Sequence, residues 1–497
     1  MTASVDTVLE EALGFSHPVP ASSADARRAL GSALVGDWAT APATELSAAI
    51  RNREVSSREL LAMYLDRIDR LGAPINAVVT LAAERAHAEA AAADDATARG
   101  AEVGPLHGLP ITVKDAIETA GIRSTGGAVA LTDHVPVADA PAVARLREAG
   151  AIVFGKTNLP EWSGNLQAYN ELFGTTNNPW ALDRVPGGSS GGAAAAVACG
   201  FTSFELGTDI GGSVRVPSHF CGVFGLKPSY GLVPQRGYLD HVGGGTTDPD
   251  INVFGPLARS AADLDLLLGV LAGPEPERAA AWRVDLPSPP TPHLAGRRIA
   301  LWLDDPACSI DAGYLAVLRA AADAAADAGA IVEEAHPPVD HAEQVALFFT
   351  LVGAAVSVNA DDDVADLLAG QHRQWLRLDA QRAALRRTWA EWFEGWDALL
   401  CPVSLTAAFP HQQDGDFLSR TIEINGATRA YMELTSWTGL IGVIGHPSAV
   451  PPIGQTANGL PVGVQVVTPV LHDRAAVQLA GLLAEVSGGG YRVPPGF

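Results

Sequence analysis

Apolar side chains recur along most of this chain at spacings that predict alternating helices and strands. Ser56 and Glu59 form a capping-box pattern, and the apolar residues that follow it, up to Leu71, return every three or four positions. Short apolar runs beside glycine or proline predict buried strands. The predicted helices are 60–71, 81–98, 142–148, 193–199, 261–271, 312–328 and 374–393, and the predicted strands are 111–113, 151–154, 202–206, 298–302, 330–333, 398–402 and 460–467.

The Asn425-Gly426 pair predicts a hairpin between residues 421–424 and 427–431, because both central positions of such a turn need a positive φ. Strands that alternate with longer helices indicate an α/β protein whose sheet is covered on both faces. Residues 1–42 are predicted to form an N-terminal helical extension, with two short helices around a Pro/Ser break at 17–23. We expect a single domain over 43–497.

The composition narrows the class of partner. The chain has 33 basic and 56 acidic residues and a formal net charge of −23, which argues against a protein that coats nucleic acid or an anionic membrane. Only three of the basic residues are lysines, namely Lys114, Lys156 and Lys227. The charge balance therefore leads us to expect no nucleic-acid or membrane partner.

The four cysteines lie far apart and form no CxxC pair, so we expect buried, reduced thiols rather than disulfides or a zinc site. The first residues show no signal-peptide pattern, and no apolar run is long enough to span a membrane. These features favour a cytoplasmic enzyme.

The glycine-rich segment 186–192 has three interpretations. It could be a flexible turn before an alanine-rich helix, or a phosphate loop, although the lysine of a P-loop is missing. Residues 187–191 also match GxSxG, the nucleophile elbow of α/β-hydrolases, in which Ser189 would act with His446 or His472. That elbow should follow a strand directly, whereas residues 177–185 have the composition of a loop.

A second glycine cluster spans residues 207–217 and contains Gly211-Gly212-Ser213. Consecutive glycines allow the main chain to turn its N–H groups toward one point, which is how an oxyanion hole forms. A serine directly after such a cluster is well placed to attack a carbonyl group. A structural turn explains the cluster equally well.

Lys114 ends an apolar segment, and an ion pair with Asp115 would account for it. Desolvation lowers the pKa of a buried lysine, however, and the neutral amine can then act as a general base. Arginine cannot take this role, because its guanidinium does not lose its proton in proteins.

These segments together resemble the amidase signature family of serine hydrolases. Residues 187–228 follow the long Gly/Ser-rich signature of the family, and residues 107–115 are similar to its lysine motif. Thr157-Asn158 and the C-terminal residues 445–465 are similar to further family landmarks. The resemblance covers about 43–486.

The resemblance implies a fold with a large central mixed β-sheet between layers of helices, and a Ser-Ser-Lys triad that needs no metal or organic cofactor. Ser213 matches the acylating nucleophile, Ser189 matches the bridging serine that follows a cis peptide bond, and Lys114 matches the base. The main-chain N–H groups that match the oxyanion hole are those of Ile210, Gly211, Gly212 and Ser213. The residues that match the supporting hydrogen bonds are Ser190, Asp209 and Arg215.

The resemblance implies a small-molecule substrate, and the expected reaction is hydrolysis of a carboxylic amide to an acid and an amine or ammonia through an acyl-enzyme. Trp162, Tyr169 and Phe173 are candidates for an apolar substrate pocket. The alternative for each of them is a place in the hydrophobic core. They favour neutral aliphatic or aryl amides, with esters and carbamates as further candidates.

Two alternatives stay open. One is the glutaminase component of a tRNA-dependent amidotransferase, its A subunit, although residues 245–252 and 159–162 depart from the motifs of such proteins. The other is a catalytically silent binding or assembly subunit. The sequence does not fix the oligomeric state, and a homodimer is compatible with it.

Overall fold

The computed structural model describes residues 38–359, residue 365 and residues 368–497. Most of the predicted N-terminal helical extension, residues 1–37, lies outside the described part. Ala39–Phe497 form one compact unit. No described helix is long and apolar enough to cross a membrane.

Helices flank the strands throughout the described residues. They are α1 (Ala43–Asn52), α2 (Ser57–Leu71), α3 (Ala83–Ala98), α4 (Pro141–Glu148), α5 (Gly191–Ala198), α6 (Arg215–Cys221), α7 (Ala261–Leu271), α8 (Ala312–Asp327), α9 (His341–Val356), α10 (His372–Phe393), α11 (Ser436–Gly442) and α12 (Asp473–Val486). Most of them follow a strand along the chain, as expected for an α/β protein.

The strands are mostly short, with two to six residues each. They are β1 (Val78–Leu81), β2 (Pro110–Lys114), β3 (Ile152–Thr157), β4 (Tyr169–Asn170), β5 (Gly174–Thr175), β6 (Glu205–Asp209), β7 (Phe224–Lys227), β8 (Val253–Ala258), β9 (Arg298–Leu301), β10 (Ile331–Glu334), β11 (Ala398–Cys401), β12 (Thr421–Ile424), β13 (Ala427–Ala430), β14 (Ser448–Val450), β15 (Pro452–Gln455), β16 (Pro461–Gly463) and β17 (Gln465–Val467).

Eight of the strands form a mixed sheet in the order β10-β9-β11-β17-β14-β7-β8-β6. The β10, β9 and β11 strands run parallel, and the remaining neighbours are antiparallel. This arrangement confirms the predicted α/β class with a large mixed sheet. A second sheet, β1-β3-β2, packs beside β6 through β2. The Thr112 N–H of β2 donates to Thr202 Oγ1, which lies in the loop before β6, at 2.9 Å.

Two local predictions are confirmed in detail. The Ser56 side chain accepts a hydrogen bond from the Glu59 N–H at 3.1 Å, and the Glu59 carboxylate accepts from the Ser56 N–H at 2.8 Å, which completes the capping box of α2. The predicted hairpin is β12–β13, and its central residues Asn425 and Gly426 have φ values of 54° and 80°.

Other boundaries differ from the sequence prediction. Residue 81 ends β1 instead of opening a helix, because residues 78–81 pair with β3. The predicted strand 202–206 begins at Glu205 and continues to Asp209. The Thr202 hydroxyl instead accepts a hydrogen bond from the Thr112 N–H in the middle of β2. The predicted strand 460–467 is divided between β16 and β17, which pair with different partners.

The α5 helix lies at the centre of the core, and all of its eight residues are buried. It approaches its neighbours closely: a Cβ at Gly192 would lie 2.5 Å from the main-chain N and O of Asn158. Only glycine fits this contact. The residues just before α5, including Ser189, are therefore fixed against a rigid core.

The four cysteines are buried and free, as predicted.

Candidate active site

The end of β2 brings Lys114 against two hydroxyl groups. Its Nζ donates to Ser189 Oγ at 2.5 Å and to Thr208 Oγ1 of β6 at 2.8 Å. Lys114 and Ser189 are completely buried. The Gly188–Ser189 peptide bond is cis, as the family resemblance implies. The lysine and the first serine of the predicted triad are therefore in direct contact.

The Lys114 amine has no acidic hydrogen-bond partner among the described residues. The adjacent Asp115 accepts hydrogen bonds from the N–H and hydroxyl of Thr125 instead, so the predicted alternative of a Lys114–Asp115 ion pair does not form. Burial lowers the pKa of Lys114 to about 7, although Asp209 and Glu205 oppose the shift. A substantial fraction of the amine is therefore neutral near pH 7.

Ser213 lies in the loop between β6 and α6, and its residue is 6% exposed, in contrast to the fully buried Ser189. The Ser190 N–H donates to the Ser213 carbonyl at 3.1 Å, and the Ser190 hydroxyl donates to the Thr208 carbonyl at 3.3 Å. These bonds tie the two serine segments together. The Ser213 hydroxyl itself has no hydrogen-bond partner among the described residues, and it is the more accessible of the two.

Asp209 organises the loop that carries Ser213. Its carboxylate accepts hydrogen bonds from the main-chain N–H groups of Gly212 at 2.9 Å, Val214 at 3.0 Å and Arg215 at 3.2 Å. It also forms a fully buried salt bridge with the Arg215 guanidinium, with an N···O distance of 2.8 Å. A carboxylate with this many donors holds one loop geometry.

Burial alone would raise the pKa of Asp209, but the charge and hydrogen bonds of Arg215 outweigh this effect and lower the pKa to about 2. Arg215 Nη1 reaches the carbonyl of Thr438 and the side chain of Gln465, both at 2.8 Å. The loop is therefore anchored to α11 and β17, more than 200 residues away along the chain.

The predicted oxyanion donors differ in availability. The N–H groups of Ile210, Gly211 and Ser213 have no acceptor among the described residues. The Gly212 N–H, in contrast, already donates to Asp209 at 2.9 Å. This hydrogen bond forms because the loop folds back over Asp209, the last residue of β6.

Side chains from α9 and the turn before α11 line the space beside Gly211. A Cβ on Gly211 would lie 3.6 Å from Phe348 Cζ and 4.0 Å from Thr435 Cγ2. The Thr438 hydroxyl donates to the Gly211 carbonyl at 2.8 Å. The sequence did not identify these residues or Thr208, because they are distant from the motif or carry no chemical signal of their own.

The three predicted pocket aromatics have separate surroundings. The main-chain N–H of Trp162 donates to the Gly126 carbonyl at 2.9 Å, and the partly exposed indole ring of Trp162 lies near Gly126. The Tyr169 hydroxyl accepts from Arg420 at 3.0 Å. The Phe173 ring lies under the Arg123 guanidinium at 5.1 Å. Each of the three side chains thus has contacts of its own.

The elbow interpretation of Ser189 has no support in the geometry. The residues before Ser189 form a loop, where the elbow requires a strand. His446 is buried and bonds to the Thr468 carbonyl at 2.9 Å, and His472 bonds to the Val470 carbonyl at 3.2 Å. Burial lowers the pKa of His446 to about 4. Among the described residues, no group of His, Cys, Asp or Glu could hold a metal ion.

The Amidase family model matches residues 59–375 and 364–477, which is most of the chain. This chain belongs to the amidase family. It is therefore an amidase-type enzyme, and the resemblance seen in the sequence is confirmed.

The relatives include both amidotransferase components and amidases. The chain is 33% identical to the A subunit of the glutamyl-tRNA(Gln) amidotransferase of Moorella thermoacetica, over 88% of this chain and 95% of that protein. The structure of the corresponding subunit from Thermotoga maritima is similar with a TM-score of 0.75 and 26% identity, over 92% of this chain and 98% of the other. The structure of a bacterial aryl acylamidase of the amidase signature family is similar with a TM-score of 0.77 and 26% identity, over 92% of this chain and 99% of the other.

Proposed function

We propose that this protein hydrolyses a carboxylic amide through an acyl-enzyme on Ser213, with Ser189 and Lys114 as a proton relay. The 2.5 Å bond between Lys114 Nζ and Ser189 Oγ carries the proposal, because it joins a buried amine to the hydroxyl next to the nucleophile loop. An amine with a pKa lowered to about 7 by burial is a suitable general base at neutral pH.

In the first half-reaction Ser213 gives its proton to Ser189 as Ser189 gives its own to the neutral Lys114. Ser213 Oγ then forms a bond to the carbonyl carbon, and the carbonyl electron pair moves onto the oxygen. The N–H groups of Ile210, Gly211 and Ser213 are the donors available to that oxyanion, since they have no acceptor among the described residues.

Collapse of this tetrahedral intermediate restores the carbonyl and breaks the C–N bond. The proton held by Lys114 returns through Ser189 to the departing nitrogen, so the amine or ammonia leaves neutral. Water then attacks the ester on Ser213 by the same route and releases the acid. Ser190, Asp209 and Arg215 support these steps by fixing the loop of Ser213.

The identity of the amide has two candidates. The curated relatives favour the glutaminase component of an amidotransferase over the free-standing amidase that the sequence motifs favoured, so we infer glutamine as the first candidate. The second candidate is a neutral aliphatic or aryl amide. It is supported by the uncharged wall of Phe348 and Thr435 beside Gly211, and by the similarity to an aryl acylamidase.

A substrate panel tests both parts of the proposal. Purified protein is incubated with glutamine, aliphatic amides and anilides, and a fluorophosphonate probe reports the reactive serine. We expect hydrolysis and labelling that disappear in Ser213→Ala and persist in Ser419→Ala, an exposed serine.

The panel also separates the alternatives. Ammonia release from glutamine alone supports the amidotransferase component, whereas turnover of anilides or aliphatic amides supports the free-standing amidase. A protein that neither reacts with the probe nor hydrolyses any amide faster than Ser213→Ala would be catalytically silent, and the proposal would be wrong.

A further inference from the structure

One peptide group in the Ser213 loop has both of its polar atoms held by side chains. In the peptide group between Gly211 and Gly212, the Gly212 N–H donates to Asp209 at 2.9 Å, and the Gly211 carbonyl accepts from the Thr438 hydroxyl at 2.8 Å. Thr438 lies on α11, 227 residues further along the chain than Gly211. The proposed reaction does not use Thr438.

This peptide group separates two of the available oxyanion donors. The Gly211 N–H belongs to the peptide group before it and the Ser213 N–H to the one after it, and neither has an acceptor among the described residues. A change in ψ of Gly211 or in φ of Gly212 would therefore turn one donor relative to the other. Both residues are glycines, and Gly212 has a φ of 110°, so the main chain itself offers little resistance to such a change. Side chains have to hold the peptide group.

The Thr438 side chain also packs against the second glycine. A Cβ on Gly212 would lie 2.7 Å from Thr438 Oγ1 and 2.9 Å from Thr438 Cβ and Cγ2. Thr438 is completely buried. This packing blocks a shift of the loop toward α11, and the hydrogen bond to the Gly211 carbonyl opposes a shift away from it.

Arg215 fixes Thr438 in turn. Its Nη1 donates to the Thr438 carbonyl at 2.8 Å, and its Nη2 donates to Asp209 Oδ1 at 2.8 Å. The same carboxylate oxygen accepts from the Gly212 N–H. These contacts form a closed ring around the Gly211–Gly212 peptide group, and the Thr438 hydroxyl is the member of the ring that holds its carbonyl.

The Thr438 hydroxyl has a second acceptor within its own helical turn. Thr438 Oγ1 lies 3.0 Å from the Thr435 carbonyl, three residues earlier, and threonines in helices commonly make this bond. The Gly211 carbonyl is the nearer of the two acceptors. A hydroxyl that served only the helix would have no effect on the chemistry at Ser213, so kinetics can separate the two uses.

We propose that Thr438 is a positioning residue for the oxyanion hole, whose hydroxyl fixes the Gly211–Gly212 peptide group and so aims the N–H groups on either side of it at the substrate carbonyl oxygen. The inference rests on the proposed acylation of Ser213. Donors that are fixed in advance stabilise the charge that develops in the transition state more than they stabilise the bound substrate. Loss of the hydroxyl should therefore slow acylation and leave substrate binding largely unchanged.

The test compares Thr438→Ser and Thr438→Ala, two variants that differ only by the hydroxyl. Each is mixed rapidly with p-nitrophenyl acetate, and the burst of p-nitrophenolate gives the rate constant and amplitude of acylation over a range of ester concentrations. We expect the maximal rate constant to fall about 10-fold or more in Thr438→Ala and to stay within about 3-fold of the wild type in Thr438→Ser. The ester concentration at half-saturation should change little in either variant.

Thr350→Ala is the matched control. Thr350 is exposed on α9, and its hydroxyl donates only to the helix carbonyl of Ala346, at 2.8 Å. The control should reproduce the wild-type rate constant. A merely structural role for Thr438 would lower the amplitude of the burst, which counts folded protein, and would leave its rate constant unchanged.

Equal rate constants in Thr438→Ser and Thr438→Ala would overturn the proposal. If Thr438→Ala does not fold, Thr438→Val takes its place, and a wild-type rate constant in that variant counts against the proposal in the same way. Ser213→Ala separates the two hypotheses. If it gives the wild-type burst, the proposed function fails, whereas no burst in Ser213→Ala together with equal rate constants in the two Thr438 variants refutes only the role of Thr438.

Discussion

Lys114 and Lys156 lie on neighbouring parallel strands and are both completely buried, yet they have different partners. Lys114 Nζ contacts the hydroxyls of Ser189 and Thr208. Lys156 Nζ contacts the carbonyl of Ile117 and the hydroxyl of Thr119. Among the nearby acids, Asp115 raises the pKa of Lys156 most. Burial lowers the pKa of Lys114 to about 7 and that of Lys156 to about 8.

The difference shows that burial alone does not make a lysine a base. A general base must contact a group from which it can take a proton. Lys114 contacts a serine hydroxyl next to the nucleophile loop. Lys156 contacts a carbonyl and the Thr119 hydroxyl, and that hydroxyl donates its own proton to the Ile117 carbonyl, away from the Ser213 loop. We therefore assign a chemical role to Lys114 and a structural role to Lys156.

The largest expected effect follows from Lys114→Met. Loss of the base should lower kcat by about 10³-fold or more, with a thermal midpoint no lower than that of the wild type, because a buried amine is replaced by an apolar chain. Steady-state kinetics and calorimetry measure the two quantities. His472→Ala, at an exposed residue outside the site, is the control and should retain full activity.

Lys156→Met should act mainly on stability. It removes the positive charge that stabilises the ionised forms of two buried carboxyl groups, Asp115 and Glu205. We therefore expect a loss of about 3–5 kcal/mol in the free energy of unfolding. Denaturant titration measures this loss. If Lys156→Met instead lowers kcat as strongly as Lys114→Met while stability is unchanged, the distinction between the two lysines is wrong.

Thr208→Val tests the second partner of Lys114. Its hydroxyl accepts from Nζ at 2.8 Å, and a hydrogen bond to a charged group contributes about 1.5–3 kcal/mol. We expect kcat/KM to fall roughly 10-fold or more, because the lysine loses one of the contacts that aim it at Ser189. Thr119→Val, the corresponding change beside Lys156, is the matched control. Equal kinetic losses in the two variants would argue against an aimed base.

The smallest effect is the pH dependence of the wild type. The base must be neutral, and its neutral fraction rises with pH through a pKa of about 7, so kcat/KM should rise with pH and reach half of its plateau near pH 7. The pKa of about 8 for Lys156 should leave no step in the profile. A half-maximum near pH 4, where burial places the pKa of His446, would indicate a histidine instead.

The parts of the site that lie close together in the chain were predictable. The Ser213 loop and the position of Lys114 at the end of an apolar strand follow from short segments of sequence. The support of the loop by Asp209 was implied by the family resemblance that those segments carry. The hydrogen bond from the Gly212 N–H to Asp209 was not predictable, because it depends on how the loop folds.

The long-range contacts could not be predicted in the same way. Phe348 lies on α9, a helix that the sequence pattern did not identify, and it contacts the space beside Gly211. Thr438 and Gln465 meet Arg215 across more than 200 residues. Such contacts depend on the order of strands in the sheet, which a single sequence does not reveal. The α2 helix and the β12–β13 hairpin were predictable because their capping and turn residues act locally.

The covalent intermediate tests the central claim most directly. The protein is mixed with p-nitrophenyl acetate, quenched with acid within the first turnover, and digested for mass spectrometry. We predict one added acetyl group, located on Ser213 by fragmentation of its peptide, with no adduct in Ser213→Ala and a greatly reduced amount in Lys114→Met. An adduct on Ser189, or one that forms equally well in Lys114→Met, would contradict the account.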